Sequence, residues 1–328
     1  LTDANGNNAL TVTVTDVSGT AANLNTVDVI TSVAVDATAV ATITGTAAAI
    51  VTAAQSAGIT TAASYAATVD SGTASVAQSN ILDGDTTGIV TATITEGDLA
   101  TLTTLTDANG NNALTVTVTD VSSAAADLLT VDGVTSVAVD VTASTTITGS
   151  AADVVSVINS AGITTDGDYL VTLAAGTAAS ADLNTVDADT TGAIDATAAT
   201  TITGTAADVI TAIQSTGIAT ATDYNVTLSG AATVGQLTTI DGDTTGAISA
   251  AAITDTFSAI NTLALNSATT LQNATGLITA NGNFADNSMD MTDVGNLADL
   301  VINGEGGNDT IIGAQGNDTI TGGTGNDI

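Results

Sequence analysis

Lysine, arginine and histidine are absent from all 328 residues, as are cysteine, proline and tryptophan, whereas aspartate and glutamate number 34. With a formal charge of -34 and no cation of its own, the chain cannot form an ion pair between side chains. Its counter-charges have to come from solution, as salt and bound cations. The same absences remove histidine and lysine bases, thiol and Schiff-base nucleophiles, arginine clamps on phosphate and imidazole or thiolate zinc sites. An enzyme is therefore not expected. Nucleic acid is not an expected partner either, because a polyanion without basic residues repels phosphates. The apolar fraction of 44% is mostly Ala and Val, with two Phe and three Tyr, which excludes a large aromatic core. Zero cysteines suit an exported bacterial protein held together without disulfides and suit a reduced cytosol equally. No continuous apolar run of about 18 residues occurs. The uncharged stretch 37–69 is broken by Thr, Ser, Gly and Gln, so membrane insertion is not expected.

What is present is repetition. The string LTDANGNNALTVTVTDVS begins at Leu1 and again at Leu105, a period of 104 residues. Inside it, Ile43-Thr-Gly-Thr-Ala-Ala returns at Ile147 and Ile202, with looser relatives at Ile94 and Ile253. The apolar residue that follows the small-residue phrase falls at Leu24, Ile50, Val76, Leu99, Leu128, Val154, Leu183, Val209 and Leu237, a mean step of about 27 residues, typical of stacked coils. Leu10, Val12 and Val14 alternate with threonines, which predicts a strand. Val154, Val157, Ile158 and Ala161 follow helical spacing, with Ser150 and Asp153 resembling a capping box and Gly162 a C-terminal stop; Thr205, Asp208 and Gly217 repeat that grammar. The expected fold is an α/β solenoid over residues 1–265, one strand and one short helix per coil of about 27 residues, with an irregular segment 266–300 and a parallel β-roll at 301–328. Tandem β-sandwich domains of about 104 residues are the alternative.

The chain ends in Gly304-Glu-Gly-Gly-Asn-Asp-Thr-Ile-Ile, Gly313-Ala-Gln-Gly-Asn-Asp-Thr-Ile-Thr and Gly322-Gly-Thr-Gly-Asn-Asp-Ile. These resemble the RTX (repeats-in-toxin, hemolysin-type) calcium-binding nonapeptide, G-G-x-G-x-D-x-U-x. Glycines let a turn point its carbonyls inward, the aspartate adds a hard anionic oxygen, and the apolar eighth residue fills the roll. The resemblance makes Asp309, Asp318 and Asp327 the Ca2+ carboxylates, with carbonyls from Gly304, Gly306, Gly313 and Gly322, and Ile311 and Ile320 the core residues. It implies that Asp309 and Asp327 share one site while Asp318 needs a partner beyond Ile328. Glu305 and Ala314 depart from the pattern by replacing the second glycine. The resemblance also implies a secreted bacterial protein, exported unfolded by a type I system and folded on meeting calcium outside the cell.

Weaker calcium candidates are the paired carboxylates Asp83/Asp85, Asp187/Asp189 and Asp241/Asp243 in D-x-D-T-T-G turns, and Asp3/Asn5 and Asp107/Asn109 in D-A-N-G-N loops. The bland reading is solvated turns in which Asp and Asn bond the local backbone. The threonine rows 11/13/15, 91/93/95 and 115/117/119 offer an adhesive face for ice or glycan, or plain solvent-facing strand positions. Composition and repeat style resemble the RTX-bearing S-layer and surface-repeat proteins of aquatic bacteria. The expectation is a non-enzymatic, calcium-dependent extracellular protein that associates with its own copies into a surface layer, filament or adhesin stalk at the cell surface, where polysaccharide is a further candidate partner. An adhesin module and the non-catalytic tail of a secreted RTX enzyme are the alternatives.

Overall fold

A computed structural model describes residues 8–256, 259, 278–290, 300–313 and 317–328. Nine helices of eight to ten residues, except one single turn, are present among them: α1 (Ala21–Asp28), α2 (Ala47–Gln55), α3 (Val76–Asp85), α4 (Leu99–Leu102), α5 (Ala125–Asp132), α6 (Ala151–Asn159), α7 (Ser180–Asp189), α8 (Ala206–Gln214) and α9 (Val234–Asp241). Each holds one of the nine recurring apolar residues, and each of these is buried. The reason is local. A small residue opens most helices and an apolar one follows three positions later, as Ala47 and Ile50 or Ala206 and Val209 do, so both face inward. Burying an Ile or Leu in this way contributes about 1.5–3 kcal/mol.

Short helices need their ends satisfied, and the hydroxyl residues do this. Thr20, Thr46, Ser75, Thr205 and Thr233 cap with their side chains, and Ser75 and Thr233 complete reciprocal capping boxes with Gln78 and Gln236. At α6 the predicted pair forms: the Ser150 hydroxyl donates to Asp153 Oδ2 at 2.7 Å and accepts the Asp153 N–H at 3.1 Å.

The chain divides into two compact units, residues 1–147 with 156–169, and residues 148–155 with 170–328. In the first, strands Ser18–Thr20, Thr42–Gly45, Ala66–Val69, Val90–Thr93 and Ala113–Thr115 form a sheet in that order, while Val35–Ala37 pairs with Ile59–Thr61 and Val139–Asp140 with Ile163–Thr164. In the second, Gly176–Ala179, Ala199–Gly204, Asn225–Ala232, Ile248–Thr256, Ile278–Asn283, Leu300–Glu305 and Thr319–Thr321 form a seven-stranded sheet. All the pairings traced within the units are parallel. A parallel sheet with helical connections is α/β and excludes the antiparallel sandwich.

Strand rungs are shorter than the helical step. Ser18 pairs with Thr42 and Thr42 with Ala66, 24 residues each time, whereas residues 70–75 separate Ala66–Val69 from α3 and only Thr46 separates Thr42–Gly45 from α2, so those two helix starts lie 29 residues apart. Two strands, Ile278–Asn283 and Ser288–Asp290, occupy the stretch expected to be irregular. No helix among the described residues is long and apolar enough to cross a membrane.

Candidate calcium site

The terminal turns stack on one another through their side chains. The Asn287 N–H donates to Asp309 Oδ1 at 2.8 Å and the Asp309 N–H donates to Asp327 Oδ1 at 3.0 Å. One residue earlier, the Asn308 N–H donates to Asp286 Oδ1 at 2.7 Å and the Asn326 N–H to Asn308 Oδ1 at 2.8 Å. Two rows, 286/308/326 and 287/309/327, thus run up one side of the stack. Asp309 and Asp327 occupy neighbouring turns, as the motif requires.

Asp309 is 1% exposed, and its second carboxylate oxygen, Oδ2, is buried without a hydrogen-bond donor. That oxygen lies over Gly304, where a Cβ would collide with it and with the Gly322 carbonyl oxygen. The same arrangement places Asp327 over Gly322 and Asp318 over Gly313. The first glycine of each turn therefore leaves room for a carboxylate, and at Gly304 a backbone carbonyl lines the same space. A buried anionic oxygen with no donor costs several kcal/mol. An oxygen-only donor set of this kind fits a hard cation such as Ca2+, for which the site has no competing nitrogen or sulfur ligand.

Backbone conformation follows the motif too. Gly307, Gly323 and Gly325 have positive φ, and Glu305, in the second-glycine position, is forced to φ 74°. On the other side of the stack, Asp318 Oδ1 accepts the Leu300 N–H at 2.9 Å, so the turn before it presents a leucine where the motif has its carboxylate. Ile311 is half-buried, but Ile320 is 47% exposed and not a core residue, because its strand is the edge of the sheet and is covered on one side only, by Ile302.

One turn escaped the sequence reading. Gly282-Asn-Phe-Ala-Asp-Asn-Ser-Met-Asp290 pairs with the next turn through Asn283 opposite Glu305 and Met289 opposite Ile311, and Met289 is buried. A Gly at the first position and an apolar residue at the eighth were its only signals. Here Asn287 stands where Asp309 and Asp327 stand in the later turns. Its Oδ1 accepts the Asn283 N–H at 2.9 Å, so this turn closes on itself by hydrogen bonds.

Most of the weaker candidates among the described residues have protein donors. Asp83 is buried and accepts from the Thr106 hydroxyl at 2.7 Å, the Ala108 N–H at 3.1 Å and the Asn112 amide at 3.1 Å. Asp107 accepts the Asn111 and Asn112 N–H groups, and the Asn109 amide donates to the Thr86 carbonyl. Asp85 and Asp243 accept the hydroxyls of Tyr65 and Tyr224 at 2.7 and 2.6 Å, and Asp187 accepts the Ser215 hydroxyl at 2.7 Å. Asp189 and Asp241 are the last residues of α7 and α9. Asp3 and Asn5 lie outside the described residues. Among the described residues no three carboxylates converge as a metal cluster.

Two of the D-x-D-T-T-G turns act as clasps on tyrosine. Thr86 and Thr244 are buried and donate their hydroxyls to the carbonyls of Tyr65 and Tyr224, while Gly88 and Gly246 pass against those same carbonyls. Gly162 and Gly217 have no left-handed φ and are not helix stops. They make room for a carboxylate of the preceding coil, Asp132 or Asp187, which accepts from Ser160 or Ser215.

Residues 301–328 match the family model described as the RTX calcium-binding nonapeptide repeat (4 copies). These repeats bind Ca2+, and proteins that carry them are typically secreted. No curated protein and no solved structure matches the chain.

Proposed function

We propose that the chain is a non-enzymatic segment of a secreted surface protein, in which solenoid coils form the body of each unit and calcium closes the terminal roll. Type I export of the open polyanion, followed by folding in external calcium, fits a net charge of -34 that resists compaction until cations arrive. Self-association into a surface layer or filament is the role that repetitive coils of this composition serve best. The observation that carries the calcium step is the buried, donorless Oδ2 of Asp309 beside the Gly322 carbonyl.

Calorimetric titration of the full chain tests it. The expected result is calcium binding with a dissociation constant of about 10⁻⁴–10⁻³ M, the range of extracellular modules. Asp309→Ala should abolish the step and Asp327→Ala should weaken it at least about tenfold. Light scattering and far-UV circular dichroism should both fall in excess EGTA. If both signals stay unchanged on chelation, calcium does not close this protein.

An adhesive role is the second reading, favoured by one observation: the threonines at 91/93/95 and 115/117/119 are all exposed. Binding of the calcium-loaded chain to ice or to polysaccharide separates it from a purely structural role.

A further inference from the structure

The 104-residue repeat allows one surface to be compared with itself in two settings. Leu114, Val116, Val118 and Val131 are 0% exposed. Their counterparts in the first copy are Leu10, which is 39% exposed, and Val12, Val14 and Val27, which are half-buried. The sequence around the three strand positions is identical, so the difference lies in what packs on them. Beside the first copy there is a cleft of about 400 Å³ lined by Val14, Asp16, Gly19, Leu24 and Val27.

In the second copy the covering element is the coil of residues 90–106. Strand Val90–Thr93 pairs with Ala113–Thr115, and the Ile94 N–H donates to the Thr115 carbonyl at 3.0 Å. The Thr119 N–H donates to the Gly97 carbonyl at 2.8 Å, and Asp120 accepts the Leu99 N–H at the start of α4. Leu99, Leu102 and Leu105 are buried in the same coil. Gly97 has no room for a Cβ, which would meet the Thr119 side chain at 2.6 Å.

We infer that the face formed by Leu10, Val12, Val14, Asp16 and Val27 is a docking surface for another repeat coil of the chemistry of residues 90–106. The occupant supplies an edge strand for residues 9–11, a glycine opposite Thr15, a helix-start N–H for the Asp16 carboxylate and leucines for the valine row. This assignment does not depend on calcium.

The test fuses a copy of residues 70–104 ahead of Leu1 in the full chain, so that Thr104 precedes Leu1 as it precedes Leu105. Hydrogen exchange is read at the Thr15 amide, whose counterpart Thr119 donates to the Gly97 carbonyl, in calcium and in EGTA. The expected result is slowing on the order of tenfold or more in both conditions. Gly97→Leu in the added coil should remove that protection, and Asp16→Ala should reduce it. Equal protection by the Gly97→Leu fusion, or none from the native fusion, overturns the inference. So does exchange in the unfused chain that slows as protein concentration rises, since a second copy of the chain would then be the occupant.

Discussion

At the scale of single residues, the tyrosines show how a chain without cations holds carboxylates inside. Tyr65 and Tyr224 donate to Asp85 and Asp243, and burial, then the hydrogen bond and charge of the aspartate, push both phenols far above their ordinary 10.0. A folded-state pKa raised above the unfolded value contributes stability that is present below pH 10 and is lost as pH rises beyond it. In a titration followed at the phenolate absorbance, these two tyrosines should therefore ionise only together with unfolding. Tyr65→Phe should cost about 1–2 kcal/mol and make that transition less steep. Glu305 is the opposite case, a residue the local geometry disfavours. At φ 74° it carries the left-handed penalty of about 1–2 kcal/mol, while Gly323 in the equivalent position of the next turn carries none. Glu305→Gly should raise the midpoint of thermal unfolding measured in calcium. Glu305→Gln, which removes the charge but keeps the Cβ, should not match it.

At the scale of elements, the terminal turns differ by one atom type. Asn287 closes its turn with an amide that accepts from Asn283, whereas Asp309 leaves an oxygen without a donor. Asn287→Asp should convert the first turn into a calcium-requiring one and raise the stoichiometry of binding by one in calorimetry; unchanged stoichiometry would show that the Gly282 turn lacks the carbonyls to complete a site. That turn also marks where the sequence stopped being readable. Helices were legible because a small residue followed by an apolar one three positions on has to face a core, and all nine predicted anchors, Leu24 to Leu237, lie in helices. Strand direction was legible because short strands and short helices in alternation leave only parallel pairing. The Gly282 turn was not legible, since it lacks the later glycines and the aspartate and follows at 22 residues, not 18. The roles of Asp83, Asp187 and Gly162 were hidden for a different reason. Their partners, Asn112, Ser215 and Asp132, sit 28 to 30 residues away on the adjoining coil, and no local pattern encodes a contact made by stacking.

At the scale of the whole molecule, the anionic charge is spread, and many carboxylates among the described residues are held by neutral donors. Asp36, Asp140 and Asp195 each take the hydroxyl and N–H of the threonine two residues on, which holds them below the ordinary carboxylate value. None of these bonds offsets the mutual repulsion of 34 acidic groups. Sodium chloride should therefore stabilise both units, because the screening length falls from about 10 Å at 0.1 M to about 3 Å at 1 M and there is no side-chain ion pair to weaken. Calcium should do something that matched ionic strength cannot. With hydrogen exchange compared in calcium and in sodium chloride of equal ionic strength, amides in residues 278–290 and 300–328 should slow in calcium alone, while those of the coils between Thr42 and Thr115 should exchange alike in both. The contrast follows from where donorless oxygen is found: at Asp309 in the roll, but not at Asp83 or Asp85, whose carboxylates already accept protein hydrogen bonds. Calcium-specific slowing of the Asp83 and Asp107 loops would mean that these carboxylates exchange their protein donors for the ion, and calcium would then act along the coils as well as at their end.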